Sequence, residues 1–196
     1  MCSSDLILQV RPMLEESVDI DIDMSEVDRT RAIIMCSKAL GNGVIDDIQD
    51  VVYIHPDRLD RLRTADLTDG VEAIDATLRS QGRSYLLIGP GRWGSSDPSL
   101  GIPVSWEQIS GAKAIVEVPM SDIHLEPSQG THFYQNIVTF NIGYLTITGD
   151  DMLDFDWLDS IAPETEIGPL RHIALESPLK VVDRKSTRLN SSHVLT

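Results

Sequence analysis

Ser84-Tyr85-Leu86-Leu87-Ile88-Gly89-Pro90-Gly91-Arg92-Trp93-Gly94-Ser95-Ser96-Asp97-Pro98 passes from an apolar stretch straight into a loop rich in glycine and proline. A short apolar run bounded by turn formers reads as a strand buried on both faces, as in parallel sheets. Just upstream, residues 69–80 put Val71, Ile74 and Leu78 on one helical stripe. Asp69 can cap that helix, with Glu72 completing a capping-box pair and Gly82 ending it. Downstream, Ala114-Ile115-Val116-Glu117-Val118 reads as another buried strand. Strand, helix and strand in alternation predict an α/β or α+β class with a mixed sheet and helices.

The same pattern extends outward in both directions. Residues 5–12 read as a strand stopped by Pro12. Val18-Asp19-Ile20-Asp21-Ile22-Asp23-Met24 alternates apolar and acidic, as a half-buried strand or extended connector does. Residues 32–36 and 51–54 are expected strands, with a turn at Leu40-Gly41-Asn42-Gly43 between them. Residues 106–111 suggest one or two helical turns. Beyond them, Phe133, Ile137 and Phe140 share one face of a helix that Gly143 is expected to end. Residues 144–147 form a strand, 154–161 a short helix, and 171–175 and 179–182 two edge strands on this reading. No internal repeat is visible.

Bulk composition narrows the partners. The 196 residues carry 31 acidic against 16 basic side chains, a formal net charge of −15, so nucleic acid and an anionic membrane are expected to be repelled. A local basic pocket for a small anion remains compatible with that field. At 41% hydrophobic the chain can bury a core, yet no stretch approaches the roughly 20 apolar residues of a membrane helix. Met1-Cys2-Ser3-Ser4-Asp5 lacks the regions of a signal peptide, and Cys2 and Cys36 match neither a disulfide framework nor zinc spacing. Cys36 is expected to be a buried thiol in a cytoplasmic protein. Three domain segments are expected. Residues 1–12 are the end of an upstream domain, and 13–182 are one α/β domain. Residues 183–196 resemble a translated sequencing adapter and are set aside as an artefact.

Two segments carry residues suited to chemistry. In the first, Gly89, Gly91 and Gly94 allow successive backbone N–H groups to turn toward one point, which makes an anion-binding concavity. Arg92 adds a forked donor for phosphate or carboxylate, and Ser95 and Ser96 add hydroxyls. The plainer alternative is a tight turn in which Arg92 pairs with Asp97. No P-loop is present, because the terminal Gly-Lys-Ser/Thr is missing. In the second segment, Ser128, Gln129, Gly130 and Thr131 lead into His132 at a helix start, where the dipole favours an anion and Thr131 can cap. A neutral His132 there would be a nucleophile; a buried, backbone-satisfied histidine is the alternative. No metal-ligating spacing stands out.

Three stretches carry a resemblance. Leu8-Gln9-Val10-Arg11-Pro12 resembles the Gln-x-Arg-Pro end of the ATP-grasp domain in phosphoenolpyruvate synthases and pyruvate phosphate dikinases. Residues 87–98 and 128–133 look like the C-terminal region of bacterial proteins with a pyruvate/phosphoenolpyruvate-binding domain, and Leu40-Gly41-Asn42-Gly43 and Asp50-Val51-Val52-Tyr53 fit the same group. The likeness covers nearly all of residues 5–182. It implies the C-terminal fragment of an ATP-dependent phosphotransferase using ATP and magnesium, with Gln9 and Arg11 near the nucleotide. It also implies an ATP-grasp domain upstream in cis and a small metabolite of the pyruvate/phosphoenolpyruvate class. By order of elements, the domain is similar to a divergent swivelling phosphohistidine domain with His132 as catalytic carrier. It departs from that pattern in lacking the double glycine and in carrying Phe133 and Tyr134 after the histidine. A ligand-sensing domain attached to an ATP-binding unit, or a purely structural one, is the rival expectation.

Overall fold

A computed structural model describes residues 32–36, 38–40, 43–95, 97, 99–120, 132–149, 151–184 and 191–195. The strands of residues 5–12 and 18–24 and the 1–12 domain segment lie outside them, as do Gln9, Arg11, Ser96, Ser128, Gln129 and Thr131. In chain order come β1 (Ala32–Cys36), β2 (Lys38–Leu40), β3 (Gly43–Ile54), α1 (Thr68–Ser80) and β4 (Tyr85–Pro90). They are followed by β5 (Arg92–Trp93), β6 (Gly101–Ile102), β7 (Ala112–Val118), α2 (His132–Thr139) and β8 (Gly143–Thr146). The chain continues through β9 (Met152–Leu153), α3 (Phe155–Ser160), β10 (Thr165–Ile167), β11 (Leu170–Arg184) and β12 (Ser191–Leu195).

The main sheet is mixed, in the order β2-β8-β7-β4-β3-β11-β12-β1-β9, with β10 on β11, while β5 and β6 form a small separate pair. Its centre is a parallel block, β3 beside β4, β4 beside β7 and β7 beside β8, and the flanking pairs are antiparallel. The α/β reading therefore holds. Strands join this block in one direction, and crossovers of one hand then bring their helices to one face. On that face Val52, Leu87, Ile115 and Tyr144 meet Val71, Ile74 and Leu78 of α1 and Ile137 of α2. Alternate residues Val51, Leu86, Val116 and Leu145 point the other way, toward Ile33, Ile34 and Leu158 of α3. Each fully buried aliphatic side chain contributes about 1.5–3 kcal/mol. Tyr53 fastens α3 from below, its hydroxyl donating to Asp159 at 2.8 Å, where Arg171 and Arg58 also donate at 2.9 and 3.0 Å.

Four details differ from expectation. Leu67, not Asp69, precedes α1 and gives no side-chain cap, because a 3-10 stretch, Arg61–Leu67, runs directly into the helix. Gly82, at φ +68°, follows its end as expected. Residues 171–175 and 179–182 belong to one interior strand, β11, lying between β3 and β12. Its register shifts between Ala174 and Leu179, where Pro178 has no N–H to offer a neighbour. The helix α2 stops at Thr139, and Asn141 at φ +53° makes the reversal assigned to Gly143, which instead opens β8. In the segment set aside from the fold, the backbone of residues 191–195 pairs with both β11 and β1. Cys36 is buried. Among the described residues no helix is long and apolar enough to cross a membrane.

Candidate functional site

In a parallel α/β sheet, the loops at the carboxyl ends of the strands are where side chains converge on a ligand. Here β4 delivers residues 89–95 to that edge, β7 delivers Glu117, and α2 begins there with His132. The glycines of the loop allow close approach. A Cβ on Gly89 would lie 2.4 Å from the Trp93 ring, one on Gly91 2.5 Å from the Leu100 carbonyl oxygen, and one on Gly94 2.7 Å from Cδ2 of Phe133. Gly91 and Gly94 also have φ of +74° and +76°, which a side chain rarely accepts. The Gly94 contact joins the two predicted segments: the glycine loop and the first turn of α2 touch.

The expected amide cradle is not formed. The N–H of Gly91 donates to the Val118 carbonyl at 2.8 Å, that of Arg92 to Leu100 at 2.9 Å and that of Gly94 to Ile102 at 2.9 Å. The Trp93 N–H donates to Oε1 of Glu117 at 3.1 Å. The N–H groups of Gly91, Arg92, Trp93 and Gly94 are thus taken within the protein, and Gly89, Gly91 and Gly94 permit close packing. Ser95 is likewise engaged inside the loop, its hydroxyl donating to the Asp97 carbonyl at 2.9 Å and accepting from the Asp97 N–H at 3.2 Å. The Asp97 carboxylate accepts from the hydroxyl and N–H of Ser99, which hold it below its ordinary pKa.

What the edge offers in place of amides is a buried acid beside a cation. Glu117 is 2% exposed. Burial pushes its pKa up from 4.5 to about 7, against the pull of the Tyr144 hydroxyl, the Trp93 N–H and the Arg92 charge. Tyr144 donates to Glu117 and is itself pushed far up, first by burial and then by the neighbouring carboxyl. Among the described residues, Oε2 of Glu117 and Nε1 of Trp93 are two of the buried atoms without a hydrogen-bond partner, an acceptor and a donor left open at this edge. Arg92 is half-buried and close enough to act on both Glu117 and Tyr144. Around α2, Phe133 packs edge-on to Trp106 at 5.8 Å and Phe140 stacks on the same indole at 5.6 Å, fixing the helix beside the loop.

Sequence reasoning singled out Arg92 and His132 and missed Glu117 and Tyr144. Its one available signal was a carboxylate set inside an otherwise apolar strand. Of metal-ligating groups, the described residues bring three donors together once, in Asp50, Glu164 and His172, at the opposite edge of the sheet. No family model, no curated protein and no solved structure matches the chain.

Proposed function

We propose that this domain binds a small phosphate- or carboxylate-bearing metabolite at the carboxyl edge of its parallel strands, between Arg92, Glu117 and the start of α2. The observation that carries the reading is the contact of Gly94 with Phe133, which places the loop of Arg92 against the helix that His132 opens. Arg92 supplies a charge and a forked donor. The first turn of α2 supplies helix N–H groups and a dipole of the right sign. Glu117 is poised near neutral pH, so an arriving anion favours its protonated form, which donates where a carboxylate would repel.

On the resemblance carried by Gln9, Arg11 and residues 87–98, the metabolite belongs to the pyruvate/phosphoenolpyruvate class. The parent is then a cytoplasmic ATP-dependent phosphotransferase whose upstream ATP-grasp domain holds ATP and magnesium. The chain by itself turns over no ATP on this reading; its role is to receive or sense the metabolite. Isothermal titration of the 196-residue chain with phosphoenolpyruvate and with pyruvate tests it. Saturable binding weakened about tenfold or more by Arg92→Ala is expected, since a charge-assisted contact is worth about 1.5–3 kcal/mol. Absent binding, or equal binding by the folded variant, would sink the reading.

His132 as a phosphate carrier is a second reading, favoured by its place as the first residue of α2. Acid-labile phosphate on the parent protein after incubation with labelled ATP, lost in His132→Ala, is its expected sign. A parent that becomes labelled equally with and without the histidine would exclude it.

A further inference from the structure

A second constellation occupies the amino-terminal edge of the parallel block, far along the strands from Glu117. Asp50 sits where β3 begins to pair with β4, opposite Tyr85, and is 1% exposed. Arg83 donates to both of its oxygens, from Nε at 2.9 Å and from Nη2 at 2.5 Å. His172, on the neighbouring strand β11, meets Asp50 Oδ1 through Nε2 at 2.7 Å. A carboxylate held by arginine accepts, so Nε2 of His172 is the donor toward Asp50, and in that tautomer Nδ1 is the acceptor of the ring.

Nδ1 of His172 faces Oε2 of Glu164 across 3.9 Å. Two acceptors at that separation do not bond to each other, but both can accept from one donor lying between them. They border a cavity of about 210 Å³ whose walls include Ile74, Thr77, Leu78, Arg83 and Ile167. Two carboxylates, Asp50 and Glu164, face one guanidinium there, that of Arg83, whose Nη1 also lies 3.8 Å from Oε2 of Glu164. A divalent ion suits this poorly. Its third donor would be Asp50, both of whose oxygens Arg83 already holds. A single positive charge that also donates hydrogen bonds suits it well.

We infer that this cavity is a binding site for a small primary-ammonium compound. The nitrogen donates to His172 Nδ1 and Glu164 Oε2, and the aliphatic body lies against Ile74, Leu78 and Ile167. Asp50 acts as a positioning residue that fixes the tautomer of His172, and Arg83 holds Asp50 while forming part of the cavity wall. The site is separate from the one proposed at the carboxyl edge and does not depend on it.

n-Butylamine is the probe, titrated at about pH 8, where an alkylammonium keeps its proton. The readout is the His172 ring resonances by NMR, with butyrate, n-butanol and zinc ions in parallel titrations. Saturable shifts with the amine and none with butyrate are expected. Glu164→Gln should weaken binding about tenfold or more, since it removes a charge-assisted hydrogen bond. Thr77→Trp, an exposed helical position at the rim, should abolish it by filling the cavity, and it answers the same question if the glutamine variant does not fold. No saturable shift, equal binding by either folded variant, or zinc occupying the site ahead of the amine would each overturn the inference.

Discussion

The backbone N–H of Trp93 donates to Oε1 of Glu117 across 3.1 Å, so the loop after β4 is tied to the one carboxyl of β7 by a buried bond. A consequence follows for stability against pH. Glu117 is raised from 4.5 to about 7, so the folded chain holds its proton more tightly than the unfolded chain does. The stabilisation is fully present below about 4.5 and is lost as pH rises through about 7. Glu117→Gln removes this dependence. The stability difference between the two proteins should therefore change by about 3 kcal/mol between the ends of that window, in favour of the variant at high pH. Urea unfolding on either side of the window measures it, and parallel stability curves would refute the assignment.

Arg92 acts on the same carboxyl by charge, favouring its ionised form. Arg92→Ala should therefore move the titration midpoint of Glu117 further above neutrality, and Arg92→Lys should move it less. Carbon-13 NMR of the glutamate carboxyls reads this directly. A midpoint that does not move in the alanine variant would mean that Arg92 points away from Glu117, and the two could not share a ligand.

Much of this arrangement is legible in the amino-acid sequence, and what is not has particular causes. The strands at Tyr85–Pro90 and Ala112–Val118 announce themselves because strands buried on both faces need unbroken apolar runs. Glu117 hides inside such a run: only the placement of β7 between β4 and β8 makes its side chain interior. By local pattern the glycines free amides for an anion. Their real constraint is contact with Trp93, Leu100 and Phe133, the last of them nearly forty residues away and invisible to local pattern. The 171–175 and 179–182 strands looked separate because Pro178 interrupts the ladder, although the chain continues straight through it. Asp69 had the right chemistry for a cap, but the 3-10 stretch before it moved the helix start upstream.

Gly94 and Phe133 give a direct probe of the meeting between loop and helix. Gly94→Ala must place a methyl 2.7 Å from Cδ2 of the ring and hold φ at +76°, so it should cost about 1–3 kcal/mol. Part of that cost is steric and vanishes when the ring is removed. In a double-mutant cycle, Gly94→Ala should therefore be less harmful in a Phe133→Ala background, with a coupling of about 0.5 kcal/mol or more. Additive costs in urea unfolding would mean that α2 does not start against the loop.

Asp75 makes the contrasting case of a buried carboxylate that is fully used. It is 1% exposed, and its Oδ1 accepts from the Tyr85 hydroxyl at 2.9 Å and from the Gly111 N–H at 2.7 Å, while Arg79 approaches Oδ2 at 3.4 Å. These bonds pin α1 to β4 and to the turn that opens β7, and they use the oxygens of Asp75, whereas Glu117 keeps Oε2 open. Tyr85→Phe removes one donor and should cost about 1 kcal/mol. Asp75→Ala strands both the tyrosine hydroxyl and the Gly111 amide and should cost about 3 kcal/mol. The double variant should fall short of the sum, because the phenylalanine leaves no hydroxyl to strand. Ligand affinity at the carboxyl edge should be unchanged in Tyr85→Phe. A loss of phosphoenolpyruvate binding in that variant, with its fold intact, would show that the two networks are coupled through β4.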